Sequence, residues 1–351
     1  MTVPMIIALL VTAFMVWLIM TDKVPFGAAP LIACALMVLF GVTDIATAFR
    51  GFSNSSIVML ASFMVIIAAL QKTRFIAAFK RAILRMASKG GYKAYVLIIL
   101  VVMLGTSLFG TGSTAYYVMV LGLLSTIPST QALPRSKFLM PAGFACNHPL
   151  IPVNTALQYG YVIAVLEAGG AAMSVSLPKF AIVNLCLSLG FLIWCLVAYK
   201  FMPVKDVPAT TEAAAEAAEE AEALPAWQEY VIYGCFVAAI IGMVAQSYIG
   251  DQGYAVVATA VCVLLLTKIM NFKEICSNLG APIILMSAGV IGVAEALGVT
   301  GLTNLVGETV AGMLGSNINP FILVFVFCVL TSVLATLTGS TIGTVLVFAP
   351  M

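Results

Sequence analysis

The sequence predicts an all-α polytopic membrane protein made of two inverted-topology repeats. Each repeat is expected to hold transmembrane helices, an amphipathic surface helix and a re-entrant helical hairpin. Three observations carry this expectation. The 351-residue chain is 62% hydrophobic and only 9% charged, with a mean hydropathy of +1.13, whereas about a quarter of a typical soluble domain is charged. The tetrapeptide TGST occurs at residues 111–114 and again at 338–341, each time as the glycine-broken polar spot of an apolar block. The same offset lays "ALQKT" (Ala69–Thr73) over "ALGVT" (Ala296–Thr300), with Ala, Leu and Thr in register.

Val3–Met20 is apolar enough for a first span, and it lacks the basic start and small-residue cleavage site of a signal peptide. Spans over Pro25–Val42 and Ser56–Gln71 follow. Thr73–Ser88 then sets Phe75, Ile76, Phe79, Ile83 and Met86 on one helical face and Arg74, Arg81 and Arg85 on the other. That is the pattern of a helix lying in the membrane interface. Ala94–Pro128 has arms of about 17 and 14 residues around TGST, nearer to re-entrant segments than to full spans. Phe138–Leu166 is interrupted by Pro149 and Pro152, and Phe180–Phe201 is a further span. The Ala/Glu-rich stretch "PVKDVPATTEAAAEAAEEAEALPAW" reads as a polar linker bounded by prolines. Beyond it come spans at Tyr230–Tyr248, Tyr254–Ile269 and Pro282–Leu297, then a last apolar block, Pro320–Met351. The expected organisation is a first repeat over 1–201, with a hairpin at 94–128 and a broken helix at 138–166. A linker over 202–228 and a second repeat over 229–351, with its hairpin at 320–351, complete it.

Lys and Arg placement orients the chain. With Arg74, Lys80, Arg81, Arg85 and Lys89 inside, every basic residue except Arg50 and Lys179 falls on the cytoplasmic side, provided that 94–128 enters and leaves on one side. The linker is then cytoplasmic and the second hairpin enters from outside. Thr300–Gly315, the counterpart of the basic amphipathic segment, contains no Lys or Arg. Inverted repeats with broken hydrophobic segments at matching positions point to a secondary transporter.

At a hairpin tip in a membrane, non-helical backbone must line a cavity or be buried in protein. Gly112 and Gly339 permit the reversal, and Ser113, Thr114, Ser340 and Thr341 suit the N-cap of a returning arm. The free N–H groups of that helix start favour an anion, while nearby carbonyls and hydroxyls favour a hard cation. The Pro-broken segment "ACNHPLIPVNTALQYG" adds Asn147, His148, Asn154 and Thr155, with carbonyls freed by the prolines. His148, the single histidine, is a candidate for substrate contact or proton transfer, and a satisfied structural residue is the alternative. Glu295, near the outer end of its span, is either functional or at the interface.

Other classes fit less well. An intramembrane enzyme using Ser113 with His148 leaves the second TGST without a histidine, and no charged rings suggest a channel. The eight cysteines show no CxxC spacing and read as packing residues. No enzymatic activity, organic cofactor, metal other than Na+ or nucleic-acid partner is expected.

"TDKVPFGAAPLIACALMVLFGVTD", "GFSNSSIVMLASFMVIIAALQKT", the first hairpin and "PRSKFLMPAGFACNHPLIPVNTA" together resemble the divalent anion:sodium symporter family of the ion transporter superfamily. The resemblance runs through nearly the whole chain, most clearly over residues 20–200. It implies a homodimer in the cell (inner) membrane, with a scaffold and a mobile transport domain moving di- or tricarboxylates with Na+ by an elevator motion. Substrate contacts are then expected from Ser113, Thr114, Asn154, Thr155, Ser340 and Thr341. Sodium contacts are expected from Ser107, Gly112, Ser113, Pro152, Thr336, Gly339 and Ser340, with Asn147 and His148 as further candidates. The family's hairpin tips usually read Ser-Asn-Thr, whereas Gly112-Ser113-Thr114 and Gly339-Ser340-Thr341 stand here. The lost Asn amide leaves proton coupling, or an inorganic oxyanion such as sulfate or arsenite, as the alternative. The chain stops at "VLVFAPM" without counterparts of 138–166 and 180–201, so a truncated second repeat, or a fragment that does not transport, is expected.

Overall fold

The computed structural model describes residues 2–21, 23–25, 27–87, 90–110, 114–125, 127, 133–151, 158–159, 162–163, 166, 175–204, 224–302, 305 and 320–338. Among these residues all regular structure is helical, with no strand. In chain order the helices are α1 (Val3–Thr21), α2 (Ala28–Leu39), α3 (Ile45–Ala48), a 3-10 turn (Arg50–Ser53), α4 (Ser55–Gln71), α5 (Arg74–Ala87), α6 (Gly91–Phe109) and α7 (Thr114–Ser125). There follow α8 (Arg135–Ala145), α9 (Leu177–Phe201), α10 (Ala226–Ile249), α11 (Asp251–Leu266), α12 (Phe272–Leu279), α13 (Pro282–Thr300) and α14 (Pro320–Thr338). Four of the described helices, α6, α9, α10 and α13, contain stretches long and apolar enough to cross a membrane. The protein is an all-α polytopic membrane protein.

Most spans lie within a few residues of the sequence expectation. The first hairpin's arms are Gly91–Phe109 and Thr114–Ser125, so the first arm is longer and the second shorter than the hydropathy suggests. Gly90 and Gly110, with φ of 64° and 83°, flank α6 in a region open to glycine. The apolar window cannot register either break. Three short elements were not foreseen: α3, the 3-10 turn and α12. Each is too brief to produce a hydropathy signal of its own.

The chain forms two compact units, and each draws on both sides of the linker. The first comprises Met1–Ser62, Gly160–Ser174 and Lys273–Met351. Its centre is α13, a helix of small residues on which α1, α2, α3 and the 3-10 turn pack. The seam is close enough for backbone contact. A Cβ on Gly292 would lie 1.8 Å from the Ala48 carbonyl oxygen, and one on Gly51 would lie 2.0 Å from that of Ala288. Cys34 Sγ donates to the Gly289 carbonyl at 3.2 Å. Lipid supplies little hydrophobic drive between helices, so small residues that let backbones approach and gain dispersion contacts take its place. Around this seam Ala8, Val11, Met15, Ala33, Met37 and Ala296 form a buried apolar core.

The second unit comprises Phe63–Tyr159 and Val175–Phe272. Here α6 is central, packing against α5 and α8, while α10 and α11 pair closely with each other. At one end of α6, Tyr95 Oη donates to the Cys195 carbonyl at 3.0 Å and Tyr92 Oη to that of Leu196 at 3.1 Å. Lys137 Nζ donates to the Tyr199 carbonyl at 3.0 Å and lies 4.8 Å from that residue's ring. The Tyr199 carbonyl is one of the last four of α9, which have no partner within their own helix, while those of Cys195 and Leu196 accept a second bond. These bonds tie α9 and α8 to the start of the hairpin.

Candidate functional site

The candidate site is best defined where the first hairpin arm, α6, meets the break after α8. Pro141 lies inside α8, and the helix stops at Ala145. The chain then tightens, with Asn147 N–H donating to the Phe144 carbonyl at 2.9 Å and His148 N–H to that of Ala145 at 3.1 Å. Such short-range bonds are common at helix ends. Pro149 has no N–H to offer. The next two donors leave the helix altogether. Leu150 N–H bonds to the Met103 carbonyl at 3.2 Å, and Ile151 N–H bonds to Ser107 Oγ at 2.9 Å.

Three side chains on α6 and α7 support this junction. Thr106 Oγ1, fully buried, lies 2.9 Å from both the Val102 and the Ala145 carbonyl oxygens. Ser107 Oγ donates to the Met103 carbonyl at 3.0 Å while accepting from Ile151. Tyr116, near the start of α7, reaches back to donate to the Val102 carbonyl at 2.7 Å. Its hydroxyl sits over Gly105, where a Cβ would lie only 2.2 Å away. Gly105 therefore makes room for the hydroxyl that locks the two arms together. Satisfied networks of this kind are stiff in a low-dielectric interior, where an unpaired polar group is costly.

His148 follows the end of α8, half-buried. Its ring stacks on Phe191 at 4.2 Å between centroids, and Nδ1 lies 2.8 Å from the Phe144 carbonyl oxygen. A carbonyl only accepts, so this contact assigns the proton to Nδ1. Asn147 beside it is exposed. Farther along the broken segment, Gln158 Oε1 accepts a hydrogen bond from Asn184 Nδ2 in α9, and Tyr159 Oη donates to the Val175 carbonyl at 2.7 Å.

The structure thus brings Ser107 to the helix break and places Asn147 and His148 at its head. Thr114 opens α7, and Thr336 lies in the last turn of α14. Gly112, Ser113, Pro152, Asn154, Thr155, Gly339, Ser340 and Thr341 lie outside the described residues. Glu295 has a partner that the sequence did not suggest. Its Oε2 lies 3.4 Å from Arg50 Nη1, an ion pair between α13 and the 3-10 turn.

The sequence expectation does not include Thr106 and Tyr116 at the junction, or the pair Gln158 and Asn184 farther along the broken segment. A signal existed for Thr106 and Tyr116, since both are polar residues in an apolar hairpin within reach of TGST. None existed for Asn184 with Gln158, which meet only through the fold.

Among the described residues no group of His, Cys, Asp or Glu could hold a metal ion. The hydroxyls of Thr106 and Ser107 at the break are each engaged by backbone groups. Within this all-α membrane fold, a hairpin whose first arm is flanked by glycines is stitched to the break that follows α8. The chain matches the citrate transporter family (CitMHS) over residues 2–351 and belongs to that family, whose members are secondary transporters of citrate-like anions. No match was found among curated proteins.

Proposed function

We propose that this protein is a sodium-coupled symporter of di- or tricarboxylates that works by an elevator motion as a homodimer in the cell membrane. The observation that carries the reading is the junction of α6 with the break after α8. Backbone there is non-helical, yet its donors at Leu150 and Ile151 are satisfied by α6. Irregular backbone at membrane depth is tolerated where it is held by protein around a cavity, which is how a transporter site is built. Membership of the citrate transporter family supports a carboxylate substrate.

In this reading Ser113, Thr114, Asn154, Thr155, Ser340 and Thr341 contact the carboxylates. Ser107, Gly112, Ser113, Pro152, Thr336, Gly339 and Ser340 supply oxygens to Na+. No Lys or Arg lies in the interior of the spans, so bound sodium and helix N-termini neutralise the substrate. Sodium bound first creates the positive field that the anion needs, which couples the two. The two repeats, 1–201 and 229–351, contribute one hairpin each, and the linker and α5 face the cytoplasm. Membership of the divalent anion:sodium symporters is the finer assignment.

The test is uptake of radiolabelled citrate and succinate into proteoliposomes under an inward Na+ gradient, against an inward proton gradient with choline. Sodium-driven uptake is expected. Uptake driven by protons alone, with sulfate or arsenite competing, would replace sodium symport by the proton-coupled or oxyanion alternative.

A further inference from the structure

We propose that α5 is a docking surface for the anionic headgroups of membrane lipids, and that through it the lipid composition of the leaflet acts on the first hairpin. Residues 72–93 contain Lys72, Arg74, Lys80, Arg81, Arg85, Lys89 and Lys93 and no acidic residue. Such a density of basic residues on an amphipathic helix is the footprint of an anionic lipid surface.

The structure divides the helix into two working faces. On the inner face Phe79 and Ile83 are buried and Phe75 is half-buried. Phe75 packs on Phe109 at 6.1 Å between ring centroids, and Phe79 packs on Tyr116 at 5.9 Å. Phe109 and Tyr116 flank the hairpin tip, one on each arm, and stack on each other at 4.9 Å. The aromatic side of α5 therefore grips both arms of the hairpin.

The opposite face carries Arg74, Ala78, Arg81 and Arg85, all exposed. At 3.6 residues per turn these residues share one stripe, and Arg74 and Arg85 are separated by about 16 Å along the axis. Arginine forks match phosphate oxygens geometrically and lose less hydration than lysine on doing so. Leu84, 43% exposed beside the stripe, offers an apolar side chain to the acyl boundary. The charge and the apolar edge together fit a lipid leaflet. One end of the helix is already fixed, because Glu229 Oε1 accepts the Arg74 N–H at 2.9 Å. Headgroup binding would thus act on the exposed face of α5 beyond this first turn, from Ala78 onward.

The whole protein in nanodiscs tests this by hydrogen–deuterium exchange. One disc is pure phosphatidylcholine, and the other is equal parts phosphatidylcholine and phosphatidylglycerol. Exchange of the Ala78–Ala87 amides is expected to slow about tenfold in the anionic discs. Arg81→Gln with Arg85→Gln should abolish the difference, Arg81→Lys with Arg85→Lys should keep most of it, and high salt should erase it. The amides of α11, in the same unit but outside the hairpin, serve as the folding control for each variant, and slower exchange in α7 reads the effect on the hairpin. Equal exchange in the two discs would overturn the proposal, as would a lipid effect indifferent to the Gln pair. The readout involves neither citrate nor sodium, so it stands apart from the transport reading.

Discussion

Ser107 has two occupations that experiment can separate. It is a proposed sodium contact, and in the structure it already accepts the Ile151 N–H and donates to Met103. Ser107→Ala leaves a backbone donor at the break unpaired, a loss of about 1–3 kcal/mol. The variant is therefore expected to melt several degrees lower even without sodium or substrate. An unchanged melting temperature in sodium-free buffer, with weakened sodium dependence, would make Ser107 a ligand and nothing more. Gly292 has a single occupation. Its missing Cβ lets the Ala48 carbonyl approach α13, and at 1.8 Å the obstruction is backbone, which cannot rotate away. Gly292→Ala should destabilise the detergent-solubilised protein by about 3 kcal/mol or more, since overpacking that shifts backbone lies at the upper end of such costs. A wild-type melting temperature would contradict the seam.

Among the elements, α5 is held at its start by a residue distant in sequence. Glu229 lies in the first turn of α10 and is nearly buried, with its carboxylate on the Arg74 N–H and 3.5 Å from Arg74 Nε. That N–H is one of the helix-start donors with no partner inside its own helix, and a carboxylate there also opposes the helix dipole favourably. Glu229→Ala is expected to speed amide exchange in the first turn of α5 by at least about tenfold, as for loss of a charge-assisted bond. Exchange at wild-type rate would show that packing alone holds the helix. The ion pair joining α13 to the 3-10 turn is weaker. Arg50 is 67% exposed and Glu295 21%, and 3.4 Å is long for a charge-assisted bond. A double-mutant cycle should give a coupling of about 1 kcal/mol or less after solvent screening. A coupling of several kcal/mol would mean that the pair is desolvated and restore Glu295 as a functional candidate.

At the scale of the whole molecule, hydropathy made the spans legible, because each needs a long apolar run that nothing else in a soluble chain requires. The amphipathic face of α5 was legible for the same reason, as its periodicity is local. The break after Ala145 could be read from Pro149 and Pro152. What could not be read was how distant segments meet. The close approach of Gly292 to Ala48, the pairing of Arg50 with Glu295 and the meeting of Gln158 with Asn184 all depend on packing across long stretches of chain. Division into two units that each draw on both sides of the linker was equally hidden, since covalent order does not reveal which helices cluster. At the site, Ser107 and His148 were legible as polar residues in an apolar setting, while the stitching role of Thr106 needed the position of α8. Under the proposed sodium symport, a carboxylate and Na+ bind together at the broken segments. Thermal-shift binding of citrate and succinate to the purified protein, with Na+ against choline, tests it most directly. Stabilisation by a carboxylate in Na+ and not in choline is predicted. Equal stabilisation in choline, or none by any carboxylate in Na+, would contradict it.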